Sequence, residues 1–81
     1  MIKVEARLYA TLGKYHPEGK VGEALVRELA EGTTVQKLLE NELGVPPEEV
    51  KIVFVNGITR SFDHVLADGD RVGIFPPVGG G

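Results

Sequence analysis

The sequence has no cysteine, only two histidines and a single serine, Ser61, among its 81 residues. Without a thiol, the chain can form neither a disulfide nor a cysteine-based zinc site, and it has no cysteine nucleophile. Ser61 lacks the Gly-x-Ser-x-Gly elbow that presents the nucleophile in serine hydrolases. The residues therefore do not predict an enzyme that acts alone.

Side chains that could bind a metal or cofactor are also scarce. His16 and His64 fall in separate predicted loops, and no ligands occur at the spacing of a metal site. His64 follows Asp63, and this arrangement is more typical of a hydrogen-bonded surface pair than of a catalytic dyad. Residues 68–70, Asp-Gly-Asp, have the composition of a turn and lack the rest of a calcium loop. We therefore expect no metal and no bound cofactor.

The charge balance argues against several classes of partner. Twelve acidic residues outnumber nine basic ones, which gives a net charge of −3. No basic stripe is present that could replace the counterions of nucleic-acid phosphates. No apolar run approaches the length of a membrane span, and the N-terminus lacks the apolar core of a signal peptide. We expect a cytoplasmic protein that binds neither nucleic acid nor membrane.

Alternating apolar and polar residues predict strands at both ends of the chain. Residues 1–9 and 71–75 alternate with the period of two that is typical of a half-buried strand. Residues 23–29 predict another strand, although their pattern does not decide which face is buried. A glycine-containing loop over residues 13–22 precedes that strand. The predicted inward residues of the terminal strands are Ile2, Val4, Ala6, Leu8, Val72 and Ile74.

Residues 31–44 predict the one helix. Thr33 or Thr34 can cap its first amides, and Thr33 with Gln36 fits a capping box. Gly44 and the prolines that follow it end the helix. The apolar stripe at helical spacing is Val35, Leu38, Leu39 and Leu43.

The second half of the chain predicts a hairpin. Residues 50–55 are mostly β-branched and predict a well-buried strand, and Asn56-Gly57 is the strongest short turn signal for a hairpin. Residues 58–62 predict the returning strand, and residues 63–70 predict a connection to the last strand.

The order β, β, α, β, β, β predicts an α+β fold of the β-grasp (ubiquitin-like) type. In this layout one helix packs on one face of a mixed sheet of four to five strands. We expect the first two strands to form a hairpin and the last strand to pair with the first. Residues 1–75 form the predicted β-grasp domain, and residues 76–81 form an extended, flexible Gly-Gly tail.

The tail, Phe75-Pro76-Pro77-Val78-Gly79-Gly80-Gly81, is the most informative segment. Proline favours an extended course, and glycine enters slots that are too narrow for any other residue. The tail could therefore carry the Gly81 carboxylate into the active site of another protein. The alternative interpretation is an ordinary frayed terminus.

Several short motifs, most of them in the last third of the chain, occur together in one known family. They are Met1-Ile2-Lys3-Val4, Thr34-Val35, Leu38-Leu39, Val55-Asn56-Gly57, Ser61-Phe62-Asp63-His64, Asp68-Gly69-Asp70, Phe75-Pro76-Pro77-Val78 and Gly80-Gly81. Together they resemble the small subunit of molybdopterin synthase, in the MoaD/ThiS family of ubiquitin-like sulfur carriers. The form of the ending favours the molybdopterin branch over the thiamin branch.

This resemblance implies a β-grasp fold and a sulfur-carrier cycle. A ubiquitin-activating-type enzyme would use ATP to adenylate Gly81 and convert it to a thiocarboxylate. The tail, with Gly80 next to its end, would then enter the large subunit of molybdopterin synthase or a similar sulfur acceptor enzyme. The chain itself would be a non-catalytic small subunit of this sulfurtransferase.

The resemblance also implies that the outer face of the sheet contacts the partners. By alternation, the predicted contact residues are Tyr9, Val53, Val55 and Phe75, together with Pro76, Pro77, Val78 and Gly79 of the tail. Arg7, Thr59 and Arg60 stand where the family often has apolar residues, so a more polar docking surface is expected.

Three functional alternatives remain open from the sequence. The activated Gly81 could be joined to lysine amines, as in a ubiquitin-like protein modifier. The sulfur could instead serve thiamin biosynthesis. The domain could also be a plain interaction module whose tail is passive.

Overall fold

The computed structural model describes residues 1–77, which form one five-stranded sheet covered on one face by a helix. The strands lie in the order β2-β1-β5-β3-β4, and only the β1–β5 pair is parallel. The predicted mixed sheet, the hairpin of β1 with β2 and the pairing of the last strand with the first are confirmed. The strands are β1 (Ile2–Leu8), β2 (Leu25–Leu29), β3 (Ile52–Val55), β4 (Ile58–Arg60) and β5 (Arg71–Phe75).

The helix starts later than predicted. Its first turn, α1 (Val35–Lys37), is capped by Thr34, whose hydroxyl oxygen accepts a 3.2 Å hydrogen bond from the Lys37 amide. Thr33 instead donates its hydroxyl to the Ala30 carbonyl at 2.7 Å, so the capping box of Thr33 with Gln36 does not form. The cap is therefore the second of the two threonines that the sequence offered.

The helix then widens before it ends. After α1 it continues as a π-helix over Leu38–Leu43 and stops at Gly44, whose φ of 68° lies in the left-handed region. The amides of Gly44 and Val45 both donate to the Leu39 carbonyl, the second at 2.8 Å. Gly44 ends the helix as predicted, whereas the wider π turns had no signal in the sequence.

The apolar stripe of the helix and the inward side chains of the strands form a single core. All four predicted stripe residues are buried, and so are the predicted inward residues of β1 and β5. Leu25 and Leu29 are buried while Val26 is exposed, which settles the facing of β2. The largest fully buried side chains are Leu8, Leu12, Leu29, Leu38, Leu39 and Ile74.

Two segments outside the strands are more ordered than the sequence indicated. The chain after β1 forms a 3-10 helix over Ala10–Tyr15 where only a loop was predicted nearby, and it buries Leu12. A second short 3-10 helix, Pro47–Glu49, precedes β3.

Among residues 1–77, no helix is long and apolar enough to cross a lipid bilayer.

Both predicted tight turns are present. Asn56 and Gly57 have φ angles of 53° and 82°, and they join Val55 to its partner Ile58 in the β3–β4 hairpin. Gly69 has a φ of 86° in the turn before β5. This turn places Asp70 inside the fold, where only 8% of it is exposed.

Asp70 links the two turns, and its removal tests how much they stabilise the sheet. Its carboxylate accepts 2.8 Å hydrogen bonds from the Asn56 side-chain amide and from the Ala67 backbone amide. Asp70→Ala leaves both donors without this acceptor, so we expect a loss of about 1–3 kcal/mol in the free energy of unfolding. Urea unfolding measures it. Glu42→Ala, which removes an exposed carboxylate from the helix, is the control, and equal losses in the two variants would contradict the assignment.

Candidate functional site

The outer face of the sheet, opposite the helix, carries a cluster of aromatic rings at the end of β5. We call Tyr9, Phe54 and Phe75 the aromatic platform. The rings of Tyr9 and Phe75 are stacked with centroids 4.4 Å apart, and Phe54 meets Phe75 edge-on at 5.6 Å. All three side chains are half-buried, so the platform is accessible but held in place by mutual packing.

Two of the predicted contact residues do not lie on this face. Val53 and Val55 are only 1% and 4% exposed and belong to the core. Their register partners on β5 are Ile74 and Val72, which also point toward the helix. The prediction that these valines face a partner was therefore wrong: the alternation of inward and outward residues in β3 is shifted by one residue from the predicted one. The pattern did not reveal this, because both faces of β3 are apolar.

The outward residues of β3 are Ile52 and Phe54, which the sequence analysis missed. Ile52 is paired with Phe75 in the sheet and is 37% exposed. Phe54 stands between the two buried valines, and a bulky aromatic at this position was the one signal that could have identified the outer face. Tyr9 and Phe75, by contrast, lie on the predicted face.

The tail begins from a fixed point beside the platform. The Lys51 amide donates a 2.8 Å hydrogen bond to the Phe75 carbonyl, so the last residue of β5 is still held by the neighbouring chain segment. Pro76 is half-buried and Pro77 is exposed. Both prolines line an apolar groove of about 400 Å³, whose other lining residues are Ala10, Thr11, Lys51, Ile52, Phe54 and Phe75.

The remaining predicted tail residues, Val78, Gly79, Gly80 and Gly81, lie outside the described residues. Their assigned roles in activation and partner contact stay predictions. The structure locates only where their segment starts, at the central strand of the sheet and next to the aromatic platform.

The three residues expected to make the docking surface more polar occupy different places. Arg7 lies on the outer face, where its guanidinium donates to the Gly22 carbonyl at 2.9 Å and to the Glu5 carboxylate at 3.0 Å. Thr59 is the register partner of Phe54 and therefore shares its face, whereas Arg60 is the partner of Val53 and belongs to the helix side.

Among the other polar residues that the sequence analysis weighed, His16 is buried, and its Nδ1 accepts a 3.0 Å hydrogen bond from the Glu18 amide. Ser61, Asp63 and Asp68 lie at the surface. The Ser61 hydroxyl donates to the Asp63 carboxylate, and His64 is half-buried next to it. The Asp68 carboxylate accepts a 2.8 Å hydrogen bond from the Lys3 amide, consistent with its predicted place in a turn. Within residues 1–77 there is no group of three or more side chains that could hold a metal ion.

Tyr15 connects the 3-10 helix Ala10–Tyr15, which forms one wall of the groove, to the second 3-10 helix, Pro47–Glu49. Its hydroxyl donates a 2.8 Å hydrogen bond to Glu49, which also pairs with Lys14 at 3.4 Å. The pKa of the Tyr15 phenol is raised above its ordinary value. The larger cause is burial, and the second is the hydrogen bond to Glu49.

This raised pKa predicts a pH dependence. Below the ordinary tyrosine pKa, Tyr15 is protonated in the folded and unfolded chains alike, so its stabilising contact is fully present. As the pH rises above about 10, the unfolded chain loses the phenol proton first, and stability falls. We expect the stability difference between the wild type and Tyr15→Phe to narrow in this range. Parallel melting-temperature profiles would contradict the assignment.

Comparison with known proteins identifies the family. The model of the Mut7-C ubiquitin family matches residues 1–79. The chain belongs to this family. It is a MoaD/ThiS-like, ubiquitin-like protein, as the motifs predicted. No curated protein matches it.

Solved structures similar to this Mut7-C ubiquitin domain share its β-grasp fold. A candidate molybdopterin converting factor, subunit 1, of Pyrococcus furiosus is 29% identical with a TM-score of 0.73, over 96% of this chain and 100% of that one. Small archaeal modifier protein 1 of Haloferax volcanii is 21% identical with a TM-score of 0.74, over 96% and 100%. A Caldiarchaeum subterraneum ubiquitin is 18% identical with a TM-score of 0.65, over 99% and 98%.

These similarities confirm the β-grasp fold. The two more distant structures, at 21% and 18% identity, show the fold alone. The comparisons thus establish the family and the fold of this chain, and they do not single out the molybdopterin pathway.

Proposed function

We propose that this Mut7-C ubiquitin domain is a sulfur carrier for the synthesis of the molybdopterin-type cofactor of molybdenum or tungsten enzymes. Gly81 would be its reactive residue. The observation that carries the proposal is the similarity to the Pyrococcus furiosus subunit, which extends over the full length of that protein. The ending Phe75-Pro76-Pro77-Val78 and the three glycines that follow it support the same branch.

The geometry at the end of β5 suits a carrier. The residue from which the tail starts is fixed in position, because the Phe75 carbonyl accepts a hydrogen bond from the Lys51 amide and the Phe75 ring packs against Tyr9 and Phe54. Four residues separate Pro77 from the far end of Gly81, and a fully extended segment of that length spans at most about 14 Å. The partner's catalytic site would thus lie no farther than this from the surface that contacts the prolines.

The chemistry requires activation by another protein. A carboxylate is ionised at neutral pH and does not react with nucleophiles. Attack of a Gly81 carboxylate oxygen on the α-phosphorus of ATP would release pyrophosphate and form an acyl-adenylate. Attack of a sulfide-level sulfur nucleophile on the acyl carbon would then release AMP and leave a thiocarboxylate. The carrier supplies the unhindered acyl group, and the partners supply the catalytic groups.

A ubiquitin-like modifier is the alternative, because small archaeal modifier protein 1 shares the fold. The two functions diverge only after adenylation, when either sulfur or a lysine amine attacks the same acyl carbon. A carrier for thiamin biosynthesis would share the sulfur chemistry and differ only in the acceptor enzyme.

Intact-mass spectrometry of the protein purified from its own host tests the proposal. We expect a fraction whose mass shows the exchange of one oxygen for sulfur, located at Gly81 by fragmentation. Isopeptide-linked conjugates without that species would instead support a modifier. A chain that continues past Gly81 would rule out both, since Gly81 would then have no free carboxylate.

A further inference from the structure

The outer face of the sheet has a shallow depression next to the aromatic platform, and we call this depression the dent. Its floor is Gly73 of the central strand, whose register neighbours are Arg7 on β1 and Phe54 on β3. A Cβ at this position would lie 3.4 Å from the Phe75 ring and 3.6 Å from the Tyr9 ring. The missing side chain therefore leaves open a depression of about 270 Å³.

The walls of the dent are already in their packed arrangement. The stacked pair of Tyr9 and Phe75 lines the dent, and so does the Phe54 ring, which meets Phe75 edge-on. A protruding group that enters the dent would not have to order these side chains first, which reduces the entropic cost of binding. The volume is at the lower end of the range of about 300–1,000 Å³ that is typical of small-molecule pockets, and it is large enough to hold one side chain of a protein partner.

The charge of the dent is opposite to that of the chain as a whole. The chain has a net charge of −3, whereas the charged residues that line the dent are Arg7, Arg71 and Glu5. Arg7 is already paired with Glu5 and the Gly22 carbonyl. The exposed Arg71 forms no ion pair with any residue between 1 and 77, and its side chain makes no hydrogen bond there. One uncompensated guanidinium therefore stands at the rim of an aromatic dent.

We propose that this dent determines which partner binds: it receives a carboxylate-bearing protrusion of the enzyme that adenylates Gly81, and Arg71 pairs with that carboxylate. This inference rests on the proposed function and specifies the surface chemistry of its first partner. Planar bidentate pairing with a carboxylate is the interaction that arginine forms best, and it would fix the orientation of the sheet while the tail enters the active site.

The test is ATP–pyrophosphate exchange with purified ubiquitin-activating-type enzyme from the same host. Arg71→Glu should raise the KM for the carrier at least about tenfold at low ionic strength and leave kcat nearly unchanged, since it repels the partner without touching the tail. The effect should shrink as salt is added. Lys37→Glu, the same charge reversal on the exposed side of the helix, is the matched control and should change KM less than about twofold.

Gly73→Ala tests the shape of the dent independently of charge. Gly73 has no positive φ, and a Cβ placed there meets the two rings at contact distance, so alanine should be accommodated while it raises the floor. We expect a raised KM with an unchanged melting temperature. If the wild type exchanges normally and Arg71→Glu behaves like Lys37→Glu, the inference is wrong while the carrier function stands. If the wild type shows no exchange, the carrier function fails and the inference fails with it.

Discussion

Gly80→Val should abolish adenylation of Gly81 without unfolding the domain. A valine next to the reactive residue adds a branched side chain to a segment that must enter a narrow slot, whereas glycine lets backbone approach closely. A displacement of about 1 Å at the reacting carbonyl is enough to lower a rate about a hundredfold. The measurement is the rate of ATP–pyrophosphate exchange with the activating enzyme, compared with the wild type.

The melting temperature separates a steric effect from a folding effect. Gly80 follows the last strand by several residues, and β5 ends at Phe75, so the substitution should leave the core untouched. Gly80→Ala is the matched intermediate and should retain more activity than Gly80→Val. Undiminished exchange by Gly80→Val would show that no narrow slot receives the tail.

Leu39→Ala should destabilise the domain by about 2–5 kcal/mol. Leu39 is completely buried at the centre of the helix stripe, so truncation removes core contacts and leaves a cavity. A domain of this size has a free energy of unfolding of only about 4–12 kcal/mol, so the variant would lose a large part of its stability. Urea unfolding followed by circular dichroism measures the loss.

Asn41→Ala is the control for this prediction. Asn41 lies on the same π-helical segment but is exposed, so its truncation should change the stability by less than about 0.5 kcal/mol. Equal effects at the two positions would contradict the packing of this helix on the sheet.

The sequence predicted correctly those segments whose pattern of apolar, polar and turn residues is compatible with only one local structure. Residues 1–9 alternate apolar and polar side chains, so their inward face was fixed, and Asn56-Gly57 admits little other than a tight hairpin turn. The helix stripe was correct for the same reason.

The predictions failed where the pattern of a segment was compatible with two structures, or where contacts distant in sequence determine the structure. In β3 the outward Ile52 and Phe54 are as apolar as the inward Val53 and Val55, so alternation alone could not set the phase. Register with β5 sets it, and that strand lies well beyond β3 in the chain. The π turns of the helix and the 3-10 helix after β1 depend on tertiary contacts, such as that of Tyr15 with Glu49, that no local pattern encodes.

The sequence predicted two of the three rings of the aromatic platform and the prolines beside them, but it did not predict the residues of the dent. Tyr9, Phe75 and the prolines were identified from the resemblance and the end of the last strand. Gly73 and Arg71 were not, because a glycine in a strand and an exposed arginine have no distinctive pattern. Their proposed role rests on the rings and the unpaired charge that the fold brings together in residues 1–77.

Trapping of the activated tail tests the central claim most directly. The wild-type protein is incubated with ATP, the activating enzyme of its host and hydroxylamine, and the modified residue is located by tandem mass spectrometry. The account predicts a hydroxamate at the Gly81 carboxyl group that depends on ATP. A hydroxamate confined to side-chain carboxylates, or no ATP-dependent product with any ubiquitin-activating-type enzyme of the host, would contradict it.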